Sequence, residues 1–148
     1  SKLFVMVDTE ERRFKCGMQV ERGYLRAPRE MRECRLRPDW DWQRLVAALT
    51  PRGLLMRELK RLVGDEFEVE AGSWSDPHVF GKTTLPAASR LRAVLDRAPA
   101  REWCGFQVYF PLDERDVLAM NGTDLVETMM AVFDEVRPAM NECMQARI

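Results

Sequence analysis

The chain has 148 residues, 46% hydrophobic and 32% charged, with 23 Lys or Arg against 24 Asp or Glu and a formal net charge of −1. That length supports one domain burying about two-thirds of the surface its unfolded form exposes, and the mixed charge with ordinary apolar content argues against disorder. With no apolar run long enough to span a bilayer and no leader-like pattern in Ser1-Lys2-Leu3-Phe4-Val5-Met6, a cytoplasmic chain with no membrane partner is expected.

In chain order, Leu3 to Val7 and Phe14 to Val20 are β-rich runs joined by a polar connection, so an antiparallel pair is expected. Gly17 inside the second run is expected to mark a bulge, with a close backbone approach as the alternative. Asp39 is placed to cap a helix bearing Trp42, Leu45, Val46 and Leu49, which Thr50-Pro51 ends. A second helix carries Leu54, Leu55, Leu59, Leu62 and Val63, with Gly64 after it. Phe67 to Ala71 alternates apolar and acidic residues, a strand with Glu68 and Glu70 facing outward.

Gly72 to Thr84 reads as a loop. Pro86 suits the first turn of a helix bearing Leu91, Val94 and Leu95, and Trp103 to Phe110 is a strand stopped by Pro111. After a short helix or turn over Leu112 to Met120, apolar residues at Leu125, Met129, Phe133, Val136, Met140 and Cys143 predict one long helix with a buried stripe. Thr123 is placed to cap it, and Pro138 predicts a kink near Asp134. The order lacks regular βαβ alternation. The expected fold is α+β, a mainly antiparallel sheet of about four strands with helices packed on one face and the long C-terminal helix across it.

Cys16, Cys34, Cys104 and Cys143 are scattered, with His78 the one histidine, so no zinc pattern can be written and reduced thiols are expected. Nineteen arginines against four lysines hint at a bacterial, GC-rich source. A start at Ser1 fits either a domain excised from a larger protein or a tag remnant. Residues 22–61 hold eleven basic side chains against five acids, whereas 102–148 hold three against nine. Either these regions neutralise each other across the fold or the basic one meets a polyanion.

Four constellations could carry chemistry. Gly81-Lys82-Thr83 resembles the end of a phosphate loop, but Asp76 stands where the leading glycine is needed. Lys82 beside the helix start near Pro86 could still hold one anion. Pro38-Asp39 followed by Glu58-Leu59-Lys60 matches a loose nuclease pattern, in which two carboxylates hold Mg²⁺ beside a lysine, although here the groups fall on helices. Cys104 or Ser75 with His78 and Asp76 would be needed for a nucleophile, but Cys104 sits in an apolar strand and the others are crowded in sequence. Finally, Arg29, Arg32, Arg35, Arg37, Trp40 and Arg44, with Trp74 in the loop, have the composition of a surface that binds phosphate and stacks on bases.

These residues point to a non-catalytic recognition or interaction module of a bacterial cytoplasmic protein. Its candidate binding residues are Arg29, Arg32, Arg35, Arg37, Trp40, Arg44, Trp74, His78 and Lys82, and it would engage a protein partner, a neighbouring domain or nucleic acid. A metal-dependent nuclease using Asp39, Glu58 and Lys60 is the alternative. No cofactor pattern is present.

Overall fold

The computed structural model describes residues 1–22 and 40–144, the side chain of Trp40 excepted. Its elements are β1 (Lys2–Asp8), β2 (Arg13–Glu21), α1 (Trp40–Ala48), α2 (Leu54–Gly64), β3 (Glu68–Ser73), β4 (Asp76–Phe80), α3 (Ala88–Arg97), β5 (Cys104–Asp113), α4 (Glu114–Ala119) and α5 (Gly122–Cys143). The fold is α+β, as expected. The strands form one sheet in the order β1-β2-β5-β3-β4, every neighbouring pair antiparallel, so it has five strands where about four were expected.

The two-residue period of a strand sorts the side chains. Cys16, Met18 and Val20 of β2, Phe106 and Val108 of β5, and Val69 and Ala71 of β3 are buried on one face, in one cluster with the apolar sides of α1, α2, α3 and α5. α5 packs mainly on β2, with α1 and α2 against it, while α3 lies over β3. In α2, Leu55, Met56, Leu59, Leu62 and Val63 are buried, spacings that keep one side of the helix apolar over its whole length.

The stripe on α5 divides. Val132, Val136, Ala139, Met140 and Cys143 are buried, whereas Leu125, Met129 and Phe133 are half-buried and Val126 and Met130 exposed. The helix is capped by Asn121 and not by Thr123. The Asn121 side chain accepts from the backbone of Thr123 and Asp124, and Asp124 answers with a bond from the Asn121 backbone, so both ends of a capping box are made. Pro138 lies within the helical span. Beside it, the carbonyl of Glu135 accepts from Arg61 at 2.9 Å, and the same guanidinium meets the Glu135 carboxylate at 2.6 Å. Here the basic and acidic regions do join.

Three expectations on the strands are corrected. The stretch expected as a loop from Gly72 to Thr84 holds the end of β3, a two-residue turn at Trp74-Ser75 and all of β4. β4 is the outer strand, where Pro77 is tolerated because one side of the strand has no ladder to lose. Pro111 does not stop β5, which runs on to Asp113. β3 pairing reaches only Tyr109, opposite Glu68, so beyond it the proline has β2 alone for a neighbour. Nor is there a bulge at Gly17: the register passes without an extra residue through Phe4, Gly17 and Tyr109. The glycine answers to a close approach by the β5 backbone.

Cys16, Cys104 and Cys143 are free and buried. Desolvation pushes their thiols up to about 11, 11 and 12, leaving little thiolate at neutral pH. A Cys34→Ser chain should therefore show no labelling by an aromatic disulfide reagent at about pH 8 until it is unfolded. A thiol titrating in the native protein would mean that the helix-covered face is open.

Candidate functional site: a groove on the open face of the sheet

No helix among the described residues covers the other face of the sheet, which is built from the remaining strand positions. Two rows cross it. One runs Lys2, Gln19, Gln107, Glu70, Val79; the next runs Glu21, Gly105, Gly72, Pro77. The second row is nearly bare of side chains, which leaves a hollow along the sheet. Together the rows form a groove of about 450 Å³, lined also by Met6, Asp8, Lys15, Trp74 and Trp103. That volume is within the range of small-ligand sites.

The tryptophans wall one end. A Cβ at Gly105 would stand 2.2 Å from the Trp103 ring, so the indole lies directly on the glycine backbone. Trp74, at the β3–β4 turn, meets Trp103 edge to face with centroids 5.9 Å apart, yet it is 78% exposed. The turn needs Gly72, whose φ of +132° is one L side chains rarely adopt. Bonds from below brace the wall: Ser75 donates to Glu102 at 2.5 Å. The buried Arg22 guanidinium donates to the carbonyls of Ala98 and Pro99 at 3.2 and 2.8 Å.

The other end is polar and tightly paired. Lys15, 3% exposed, reaches Asp8 at 2.9 Å and Glu11 at 2.8 Å and lies 5.1 Å from the centre of the Tyr109 ring. Burial disfavours its charge, but hydrogen bonds to Glu11 and Asp8 outweigh that and raise its pKa. The Tyr109 hydroxyl donates to Glu68 at 3.0 Å and Glu70 at 3.4 Å; burial, then the Glu68 charge, holds this phenol far above its usual range. Burial also raises the carboxyl of Glu70, with Lys15 opposing.

Among the side chains that line the groove, the buried atom left without a partner is an acceptor. Gln19 donates to Glu21 at 2.6 Å, and Lys2 meets the same carboxylate at 2.5 Å. The buried Oε1 of Gln107, between Gln19 and Glu70, has no hydrogen-bond partner. A buried acceptor left unmade costs about 1–3 kcal/mol, which a donor from a ligand would recover. Of the three carboxylates that line the groove, Asp8 is paired with Lys15 and Glu21 with Lys2, whereas Glu70, among the described residues, accepts only the longer bond from Tyr109. The arrangement suits a cationic, donating group set against an indole.

Of the described residues expected to bind, only Trp74 lines this groove. Arg29, Arg32, Arg35 and Arg37 lie outside the described residues, as does the side chain of Trp40. Arg44 is exposed on α1. His78 points to the helix side of the edge strand, since it pairs with buried Ala71. It stacks on Phe80 and faces Asp76 at 3.2 Å. Lys82 is exposed, its ammonium 3.5 Å from the carbonyl of Gly64. Asp39 is outside the described residues, Glu58 is bound by Arg61 at 3.0 Å, and Lys60 is exposed on the same helix. Ser75 gives its proton to Glu102 and the Cys104 thiol is buried, 3.9 Å from the carbonyl of Leu95, so neither is set as a nucleophile beside His78.

Trp103, Gln107, Glu70 and the two floor glycines were not singled out from sequence. Of these, only Glu70 left a trace there, as part of the outward face of the alternating Phe67 to Ala71 strand. No family model, curated protein or solved structure matches the chain.

Proposed function

We propose that this chain is a non-catalytic recognition module of a bacterial cytoplasmic protein, and that it holds a cationic side chain of a protein partner, an arginine or a lysine, in the open-face groove. The observation carrying this reading is the buried, unpartnered Gln107 Oε1, on a residue that pairs across the sheet with Glu70 and lines with it a groove ended by two indoles. A guanidinium or ammonium would donate to both acceptors and lie against Trp74, most of whose surface is exposed. Phosphate is a poor occupant because the lining carboxylates would repel it. Buried thiols and arginine-heavy composition fit the proposed compartment and source.

The test is titration of the full chain with arginine amide and lysine amide, followed by tryptophan fluorescence. Glu70→Gln should weaken binding about tenfold, which is about 1.4 kcal/mol, and Trp74→Ala should weaken it similarly. Thermal stability should separate site from scaffold. Because the folded-state pKa of Glu70 is raised, its effect on stability is most favourable below the unfolded value and is lost as pH rises through the folded one. Glu70→Gln should thus be no less stable than the parent at neutral pH while binding worse. Unchanged affinity in both variants would overturn the reading. So would preferential binding of a single-stranded oligonucleotide with a steep salt dependence, which would move the site to the basic region around Arg44.

A further inference from the structure

β1 is an edge of the sheet, and among the described residues nothing pairs with its outer side. It is an unusual edge to leave open. Natural edge strands are guarded by charge, proline, brevity or a bulge, whereas here five apolar residues, Leu3 to Val7, stand in a row with charge only at the ends, Lys2 and Asp8. Leu3, Val5 and Val7 lie on the helix side of the sheet, opposite Met18, Cys16 and Phe14. They are nevertheless 40%, 48% and 70% exposed. Beside Val7, a hollow lined by Phe14, Val117 and Leu118 continues the apolar surface onto α4, with Leu118 77% exposed.

We infer that β1 pairs antiparallel with β1 of a second copy of this chain about a two-fold axis at Val5, making one ten-stranded sheet. The strand is self-complementary in that register and no other. Centred on Val5, Leu3 faces Val7, Phe4 faces Met6, and Lys2 of each copy faces Asp8 of the other. Every cross-strand pair is therefore apolar with apolar or positive with negative. Shifting the register by two sets Lys2 opposite Met6 and strands Asp8 in one direction, and sets Asp8 opposite Phe4 in the other. Shifting it by one turns the helices of the second copy to the opposite side. Parallel pairing would set Lys2 beside Lys2. The chosen arrangement is isologous and closes on itself, so it yields a dimer and not a filament.

It also covers the apolar overhang. With both helix layers on one side, Leu3, Val5 and Val7 of the two strands meet across the axis, and the hollow at Leu118 lies against the joint. The two grooves stay open on the other side. Their Met6 and Asp8 walls, which belong to β1, lie next to the joint. This pairing does not depend on what the grooves bind.

Sedimentation of the full chain should show a mass twice that of one chain, rising with concentration. Val5→Lys places two ammonium groups side by side on the axis and should give a monomer whose circular dichroism is unchanged, because Val5 is half exposed in one copy, and whose melting no longer depends on concentration as that of the parent should. Register is read separately in a Cys34→Ser background with oxidised glutathione as the oxidant. Val5→Cys should cross-link to itself, Leu3→Cys should not, and a mixture of Leu3→Cys with Val7→Cys should. A parent chain that stays monomeric at all concentrations, a Val5→Lys chain that still dimerises, or Leu3→Cys cross-linking as readily as Val5→Cys would each overturn the inference.

Discussion

Gly17→Ala is expected to destabilise the protein by about 3 kcal/mol or more, at the upper end of what overpacking costs. β2 lies between β1 and β5 in the sheet. A methyl at position 17 would stand 2.0 Å from the carbonyl oxygen of Val108 and 2.7 Å from the Cα of Tyr109. Both atoms are backbone of β5, which is itself held by β3 on its other side, so no rotamer change can make room. Relief requires β2 and β5 to part, breaking ladder bonds above the packed Cys16, Met18 and Val108. Urea unfolding followed by circular dichroism would show a lower midpoint with little change in slope. A midpoint within experimental error of the parent would mean that β2 and β5 are not in this register.

Lys15→Ala should be nearly as damaging, by about 3 kcal/mol, in the range for removing one partner of a buried ion pair. The ammonium is almost wholly enclosed and stands between Asp8 and Glu11, with Glu70 feeling its charge. Its removal leaves three carboxylates without the cation that offsets them. The pH dependence tests this cause. Asp8 is held below its usual value first by the Glu11 backbone hydrogen bond and then by Lys15, so its contribution is present above the unfolded pKa and lost as pH falls through the folded one. The deficit of the variant should therefore be largest near neutrality and shrink below about pH 4 as the carboxylates are protonated. A deficit independent of pH would assign the loss to packing over Tyr109 and not to charge.

The helices were the more legible part because their evidence is local. The apolar positions of α2 and the glycine after them sufficed to place Leu54–Gly64. The strands obeyed alternation where it was strong, at Phe14 to Val20 and Phe67 to Ala71, and were misread where residues carry loop chemistry. Asp76, Pro77 and His78 form an edge strand because a tight turn at Trp74-Ser75 folds them back on β3, and edge position removes the penalty that proline normally carries.

The site was hidden for a different reason. Gln107 stands between Gln19 and Glu70 only because β5 inserts between β2 and β3, an adjacency made late in the chain. Neither local propensity nor spacing reveals which polar faces will be neighbours. Trp103 looked like the first residue of a strand, and only its contact with Gly105 turns it into a wall. The composition argument weighted Arg29 to Arg44, whereas the groove is lined by Trp74, Trp103 and acids.

Amide and indole chemical shifts of the ¹⁵N-labelled chain during titration with arginine amide test the groove most directly. The account predicts the largest shifts at Glu70, Gly72, Gly105 and Gln107 and at the indoles of Trp74 and Trp103, with Arg44 unmoved. Silence at those six positions at about 10 mM probe, well above a millimolar dissociation constant, or movement confined to the surface around Arg44, would contradict it.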